Sequence, residues 1–169
     1  MIYFIADLHL GHTKLAISTR GYSSVEEHDS HLINSINNKV KSEDKLYILG
    51  DLTLRKKTEL TKLKEISCKN LYLVKGNHDC EINSREQLKY FKDIYGCLRV
   101  ECFMLTHIPI HPIEFEMGRR YKYNIHGHSH GRYNFNSWLD GDRYIDVGVE
   151  VINYTPISLD ELRLKCKEV

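Results

Sequence analysis

The chain has 169 residues, 41% of them hydrophobic and 28% charged, the proportions of a globular domain long enough to bury a core without disulfide staples. Lysine and arginine total 24 against 23 acidic residues, a net charge of +1, which excludes a polyanion binder acting through a global positive field. Histidine stands out instead, with ten copies against five cysteines.

Short apolar runs alternate with helix-patterned stretches, which predicts an α/β layered fold. Residues 2–6 read as the first strand. A helix follows over 25–40, where Val25, Leu32, Ile33, Ile36 and Val40 share a face and Ser24 with Glu27 forms a capping box. His28 and His31 read as exposed positions on that helix. A strand over 45–49, a helix over 58–66 with Leu60, Leu63 and Ile66 on one side, and a strand over 71–74 come next. Ser84 with Gln87 opens a third helix carrying Leu88, Phe91 and Ile94 or Tyr95. Residues 100–105, 123–125 and 144–149 read as further strands, and the weakly patterned loop 109–121 is expected to overhang the site. Pro156, then Ser158 with Glu161, predicts a short C-terminal helix. The strands are nearly continuous in apolar character, as expected for sheets covered on both faces. No repeat, linker or low-complexity segment divides the sequence, so residues 1–169 read as a single domain.

No apolar run reaches the roughly 18 residues that a membrane span needs, so no membrane partner is expected. The stretch from Met1 to Ala6 is too short for a signal-peptide core and has no basic region before it, so no secretion leader is expected. Cys68, Cys80, Cys97, Cys102 and Cys166 are odd in number, scattered, and without C-x-x-C spacing. They argue against a disulfide framework or a thiolate zinc site and for a reducing, cytoplasmic location.

The chemistry lies where the predicted strands end. The first runs into Asp7-Leu8-His9 and the second into Gly50-Asp51. The next three run into Gly76-Asn77-His78-Asp79, Thr106-His107 and His126-Gly127-His128-Ser129-His130. Sites in α/β sheets assemble at the carboxyl ends of strands. Asp7 and His9, two apart on a strand end, can face one ion, and carboxylate, imidazole and amide ligands suit borderline or hard divalent cations. Without thiolates, a closed structural zinc site is disfavoured. A carboxylate shared by two ions about 3.5–4 Å apart gives the two-metal arrangement suited to phosphoryl chemistry. Glycines 50, 76 and 127 let the backbone turn beside the ions.

In order and spacing, Asp7-x-His9, Gly50-Asp51, Gly76-Asn77-His78-Asp79, His107 and Gly127-His128-Ser129-His130 resemble the calcineurin-like metallophosphoesterase superfamily, from residue 2 to about residue 150. The stretches from Asp7 to His12 and from Arg20 to Glu27 are similar to a small single-domain branch found in bacteria and their phages. The resemblance implies a four-layer α/β/β/α sandwich holding two divalent ions, manganese foremost, with iron, zinc, nickel or cobalt as alternatives. It implies that Asp7, His9 and His130 hold the first metal, that Asp51 bridges, and that Asn77, His107 and His128 hold the second. A metal-bound hydroxide would then attack phosphorus in line, with His78 stabilising the transition state or protonating the leaving oxygen.

One departure matters. Protein-phosphatase relatives read Gly-Asp-x-x-Asp-Arg, whereas this chain reads Gly50-Asp51-Leu52-Thr53-Leu54-Arg55. Leu54 offers no carboxylate to orient the catalytic imidazole; either Asp79 takes that part or His78 is held less tightly. Arg55, His12 and His111 are candidate substrate contacts, each weighed against a local or solvated role, and His126 is a candidate hydrogen-bonding partner behind the ligands. The expected activity is hydrolysis of a small phosphate ester, a nucleotide-like diester by preference because the chain is too short for a large specificity cap, or a monoester. The alternative is a non-catalytic scaffold of the same fold, against which the full ligand set speaks. Arg119-Arg120-Tyr121-Lys122-Tyr123 interleaves charge and aromatics as some nucleic-acid surfaces do, beside the plainer reading of a solvated loop, and Trp138 is a candidate cover for the edge of the site.

Overall fold

The computed structural model describes residues 1–54, 57–117, 120–132 and 142–166. Along β1 (Ile2–Ile5) and β2 (Lys45–Ile48) the side chains alternate between two apolar surfaces. Tyr3, Ile5, Leu46 and Ile48 join one buried cluster, while Phe4, Ala6, Tyr47 and Leu49 join another. A strand with both faces buried must be apolar at every position, which is why these segments show no polar alternation.

With β3 (Asn70–Val74) and β4 (Asp93–Tyr95) the two strands form a parallel sheet, completed by β9 (Ile157–Ser158) antiparallel to β1, in the order β4-β3-β2-β1-β9. A second sheet has the order β5-β6-β7-β8, from β5 (Leu98–Val100), β6 (Phe103–Leu105), β7 (Tyr123–His126) and β8 (Tyr144–Asp146), with only β5 antiparallel to its neighbour. The cluster containing Phe4, Leu49, Val74, Phe103, Leu105 and Ile125 lies between the two sheets. The other holds Leu32, Ile33 and Ile36 of α2 (Val25–Lys39), with Leu60 and Leu63, against the first sheet. On the outer face of the second sheet, Phe115 of α4 (Ile113–Glu116) packs edge-on against Tyr144, ring centroids 5.5 Å apart. The result is the expected four-layer α/β/β/α sandwich.

Capping explains the helix starts. Ser24 Oγ accepts from Glu27 N at 3.1 Å, but Glu27 returns its carboxylate to Ser23 N (2.9 Å) rather than to Ser24. At α5 (Leu159–Lys165) the box is complete, with Ser158 and Glu161 exchanging both bonds. A six-residue helix, α1 (Thr13–Ser18), begins at His12, whose Nδ1 accepts from Leu15 N at 3.3 Å.

Several sequence expectations need correction. The run 100–105 is not one strand: β5 and β6 form a hairpin around Glu101 and Cys102, with Glu101 at φ 53°. Neither turn residue is Gly, Asn or Asp, so the apolar pattern runs on unbroken in sequence. The helix opened at Ser84 is the single turn α3 (Ser84–Gln87), capped by Asn83, and Asp93–Tyr95 pairs with β3 instead. Lys57–Glu65 is wound as a 3-10 helix. Leu60, Leu63 and Ile66 repeat strictly every three residues, the 3-10 period. His28 is fully buried rather than exposed. The start of 109–121 is tied to the second sheet, with Ile110 N on Asn124 Oδ1 (3.1 Å) and Tyr144 OH on Ile110 O (2.8 Å).

Beyond β8 the chain crosses to the first sheet. Ala6 N donates to Val147 O (2.9 Å) and Val149 N to Ala6 O (3.2 Å). The two sheets are thereby stitched together at the carboxyl end of β1.

Candidate metal centre

Five loops leave the carboxyl ends of β1, β2, β3, β6 and β7, and backbone bonds lock them to one another. Asp7 N donates to Gly50 O (3.1 Å), His9 N to Asp51 O (2.9 Å) and Gly127 N to His107 O (3.0 Å). Side chains add to this: His128 N donates to Asp7 Oδ2 (2.8 Å) and His78 N to Asp51 Oδ1 (3.0 Å). Glycine permits the approach. A Cβ on Gly76 would lie 2.3 Å from Asp51 Oδ1, and one on Gly127 would lie 2.5 Å from Asp7 Oδ2. Eight non-glycine residues among those described have φ between 48° and 70°, and five of them are Asp7, His9, Asp51, His128 and His130. Left-handed conformations of this kind cost about 1–3 kcal/mol each and persist where the surroundings over-determine them, often at functional sites.

The side chains converge in two groups. Ligand atoms of Asp7, His9 and His130 lie within 4.8 Å of one another, as do those of Asp51, His107 and His128. Asp51 Oδ2 stands between the groups, 3.8 Å from His9 Nε2 and 3.4 Å from His107 Nε2. Asn77 Oδ1 is 3.0 Å from His107 Nε2. His78 Nε2 lies 3.8 Å from Asp51 Oδ2. All seven expected ligands and His78 thus sit around one centre.

The donor and acceptor pattern fits cations. His107 Nδ1 faces Leu49 O at 2.8 Å. A carbonyl can only accept, so Nδ1 carries the hydrogen and the neutral ring presents a lone pair from Nε2. In that neutral form the lone pair meets the oxygens of Asn77 and Asp51 with no hydrogen between them, a clash that either a cation or protonation of Nε2 removes. Asp7 Oδ1 and both ring nitrogens of His9 are buried with no hydrogen-bond partner, an arrangement that natural proteins avoid unless something else satisfies the atoms. Divalent ions held by these residues would satisfy Asp7 Oδ1, the His107 lone pair and one ring nitrogen of His9.

Titration follows from burial. Burial pushes the Asp7 carboxyl up to about 7, against the opposing pull of His107, His130 and the His128 N–H. Burial also drives His9 down to about 3. Burial works against the Asp51 carboxylate, but the hydrogen bond and charge of His107 prevail and hold it at about 2. For His107, burial disfavours protonation, yet the Asp51 carboxylate outweighs it and raises the value above ordinary imidazole.

The expected supporting residues fare differently. Asp79 does not orient His78: its carboxylate accepts from the backbone N–H groups of Asp51 (2.8 Å), Gly76 (2.8 Å) and Leu52 (3.0 Å). His126, the last residue of β7, bonds Gly127 O through Nδ1 at 2.9 Å. His12 lies beside His9, ring centroids 5.9 Å apart. His111 is exposed and accepts from Ile113 N at 3.3 Å, capping a local turn. Arg55, Arg119 and Trp138 fall outside the described residues.

Sequence reasoning missed a buried group behind the first set of ligands. Arg20 and Glu150 are in contact, and Glu150 Oε1 meets His130 Nδ1 at 2.7 Å. Arg20 is also joined to His28 and, through it, to Asp29. Only their placement beside Gly21 and at the end of an apolar run marks Arg20 and Glu150 in the sequence.

Comparison with known proteins agrees with this geometry. The chain is 34% identical over 166 residues to an uncharacterized protein of Methanocaldococcus jannaschii, covering 94% of this chain and 87% of that protein. It is 35% identical over 80 residues to the gene 66 protein of Mycobacterium phage L5, covering 46% of this chain and 39% of that one. A protein of unknown function from Aquifex aeolicus has a similar crystal structure, with a TM-score of 0.72, 28% identity, and coverage of 97% and 98% of the two chains. A nuclease of Pseudomonas putida shares the fold at a TM-score of 0.50 and 20% identity, over 76% of this chain and 60% of that one. The calcineurin-like phosphoesterase family profile matches residues 1–152, a span that includes all five ligand-bearing loops, and the chain belongs to that family.

Proposed function

We propose that the chain hydrolyses phosphodiesters, nucleotide-like ones foremost, at a binuclear centre in which Asp7, His9 and His130 hold one divalent ion, Asn77, His107 and His128 the other, and Asp51 both. The observation that carries this reading is the position of Asp51 Oδ2, which faces imidazoles of both groups at 3.8 and 3.4 Å. Two divalent cations bound there, manganese being our first choice, acidify coordinated water and neutralise phosphate charge.

The protein's own groups do the rest. His78 is half-buried, its backbone N–H is committed to Asp51 Oδ1, and its Nδ1 has no partner. That leaves the ring able to carry a proton to the departing ester oxygen. His12 Nδ1 accepts the Leu15 N–H, so its neutral ring carries the hydrogen on Nε2 and can donate it to a phosphate oxygen. A cleft of about 400 Å³ opens from Asn77 and His107 past Lys75, Cys80, Gly96 and Ile108. Its size is that of small-molecule sites, and it gives the second arm of a diester somewhere to lie. Among the described residues no helix is long and apolar enough to cross a membrane, and five free thiols support a reducing compartment, the cytoplasm.

The test is a panel of generic and nucleotide diesters and monoesters with the manganese-loaded protein. Hydrolysis is expected, faster for diesters, and abolished by Asp51→Asn and His78→Ala. An inactive loaded protein would overturn the reading, and a diester to monoester rate ratio below one would overturn the diester preference.

A further inference from the structure

We propose that Arg20 and Glu150 are positioning residues for the first metal site, holding His130 in the tautomer that ligates and clamping the turn that carries Asp7. This rests on the binuclear reading above.

The Arg20 side chain is fully buried. Guanidinium has five N–H donors, and here four hydrogen bonds and a close ion pair engage it. Nε donates to Glu150 Oε1 at 2.9 Å. Nη2 is ion-paired with the same oxygen at 2.8 Å and donates to Asp7 O at 2.7 Å. Nη1 donates to Leu8 O at 3.0 Å and to His28 Nε2 at 2.7 Å. The carbonyls of Asp7 and Leu8 belong to the loop in which Asp7 (φ 60°) and His9 (φ 49°) are left-handed, so one side chain secures a costly backbone path.

Hydrogen positions then follow by elimination. Arginine only donates, so His28 Nε2 accepts and its Nδ1–H donates to Asp29 Oδ1 at 2.7 Å. Asp29 Oδ2 accepts from Gly11 N (3.0 Å) and Lys62 Nζ (2.5 Å), which pins the far end of the Asp7–His9 loop. Glu150, charge-paired with Arg20, is an acceptor, so His130 Nδ1 carries the hydrogen across 2.7 Å to Oε1. With the ring neutral, its Nε2 lone pair is left for a cation shared with Asp7 and His9. Tyr154 covers the guanidinium, 5.9 Å from ring centroid to Cζ, and Tyr22 packs edge-on against both Tyr154 and His28.

A buried ion pair alone is weak evidence of function. What distinguishes this one is where it ends and where it does not. Its last bond reaches the non-ligating nitrogen of a candidate ligand, the place from which a partner fixes tautomer and ring orientation. In the second group the same task falls to the backbone, through Leu49 O on His107. The second group is therefore an internal control.

The experiment is a manganese titration of the metal-free full chain by calorimetry with a competing chelator. Wild type binds two ions. Glu150→Ala weakens one site about 10–100-fold and leaves the other within about twofold of wild type. Glu150→Gln, which still offers His130 an acceptor, recovers most of the loss, and Arg20→Lys, with fewer donors, falls between. Nitrogen NMR of the metal-free wild type, at a pH high enough for the ring to be neutral, should show His130 protonated at Nδ1 alone, and Glu150→Ala should release it to a mixture of tautomers. Variants that bind both ions as wild type does, or that weaken both sites equally along with thermal stability, would overturn the proposal. So would a neutral His130 protonated at Nε2 in wild type, a readout that survives any variant's failure to fold. A wild type that binds fewer than two ions with the Nδ1 tautomer intact would instead overturn the binuclear reading.

Discussion

Replacing Asp79 by Asn separates two ideas about that residue. The sequence allows it to orient His78; the structure gives its carboxylate three backbone N–H donors, at Asp51, Gly76 and Leu52, in a fully buried position. An asparagine can keep its carbonyl on the Asp51 and Gly76 pair, but its amide then confronts the Leu52 N–H, donor against donor. One buried donor left unsatisfied costs about 1–3 kcal/mol, and two charge-assisted bonds become neutral ones at a loss of about 1 kcal/mol each. Against this, burial raises the Asp79 carboxyl above its ordinary value, so removing the charge relieves some desolvation. The balance is a loss of about 2–3 kcal/mol. For a chain of this size each kcal/mol moves the melting midpoint by roughly 2–4 °C, so calorimetry of the metal-free variant should show a drop on the order of 5–10 °C. Because the Asp51 loop loosens, metal affinity should fall at both sites. A variant that melts within about 1 °C of the parent while its pH–rate profile shifts would refute this account and return Asp79 to His78.

Three further outcomes are expected. Gly127→Ala forces a methyl to 2.5 Å from both Ala6 Cβ and Asp7 Oδ2; it should cost about 1–3 kcal/mol in thermal unfolding and weaken the site that uses Asp7, and a variant of parental stability and affinity would contradict the close approach. Manganese at about a hundredfold excess over its dissociation constant should stabilise the fold by about 2.7 kcal/mol per site, raising the midpoint on the order of 5–10 °C, and a chelator should reverse it; an unchanged midpoint speaks against binding to the folded state. Glu161 is held at about 2 by Lys39 and Ser158, against the opposing effect of burial. Its folded value lies below its unfolded one, so its contribution is present above about pH 4.5 and lost as pH falls towards about 2. Glu161→Gln should accordingly flatten the acid limb of the stability curve, which chemical denaturation across pH would register.

What was legible in the sequence depended on the kind of constraint. The strand-end ligands stood out because Asp, His and Asn beside glycine after apolar runs have few other reasons to recur, and the glycines are explained by approaches under 3 Å to Asp51 and Asp7. Helix α2 was readable because fifteen residues of periodicity and a Ser24 cap agree. The short strands β4 and β9 were not, since three and two residues carry no period. Nor was the hairpin at Glu101, where the turn lacks turn residues.

The Arg20 cluster was hidden for a different reason. Apolar periodicity identifies the side chains of α2 that water rejects. Asp29, four residues after Val25 and four before Ile33, falls within that face and His28 at its border. A polar side chain there gives no sign in sequence of what would satisfy it, and His28 reads as exposed. Both are buried because Arg20, Gly11 and Lys62 satisfy them, and Arg20 is in turn satisfied by Glu150, 130 residues away in the chain. A polar residue can face inward only when all its partners arrive together, and periodicity is blind to partners that come from other elements. Arg20 and Glu150 are ordinary charges in sequence. They become informative once Ala6 bonds to Val147 and Val149, because that crossing carries Glu150 to the loop that holds Asp7.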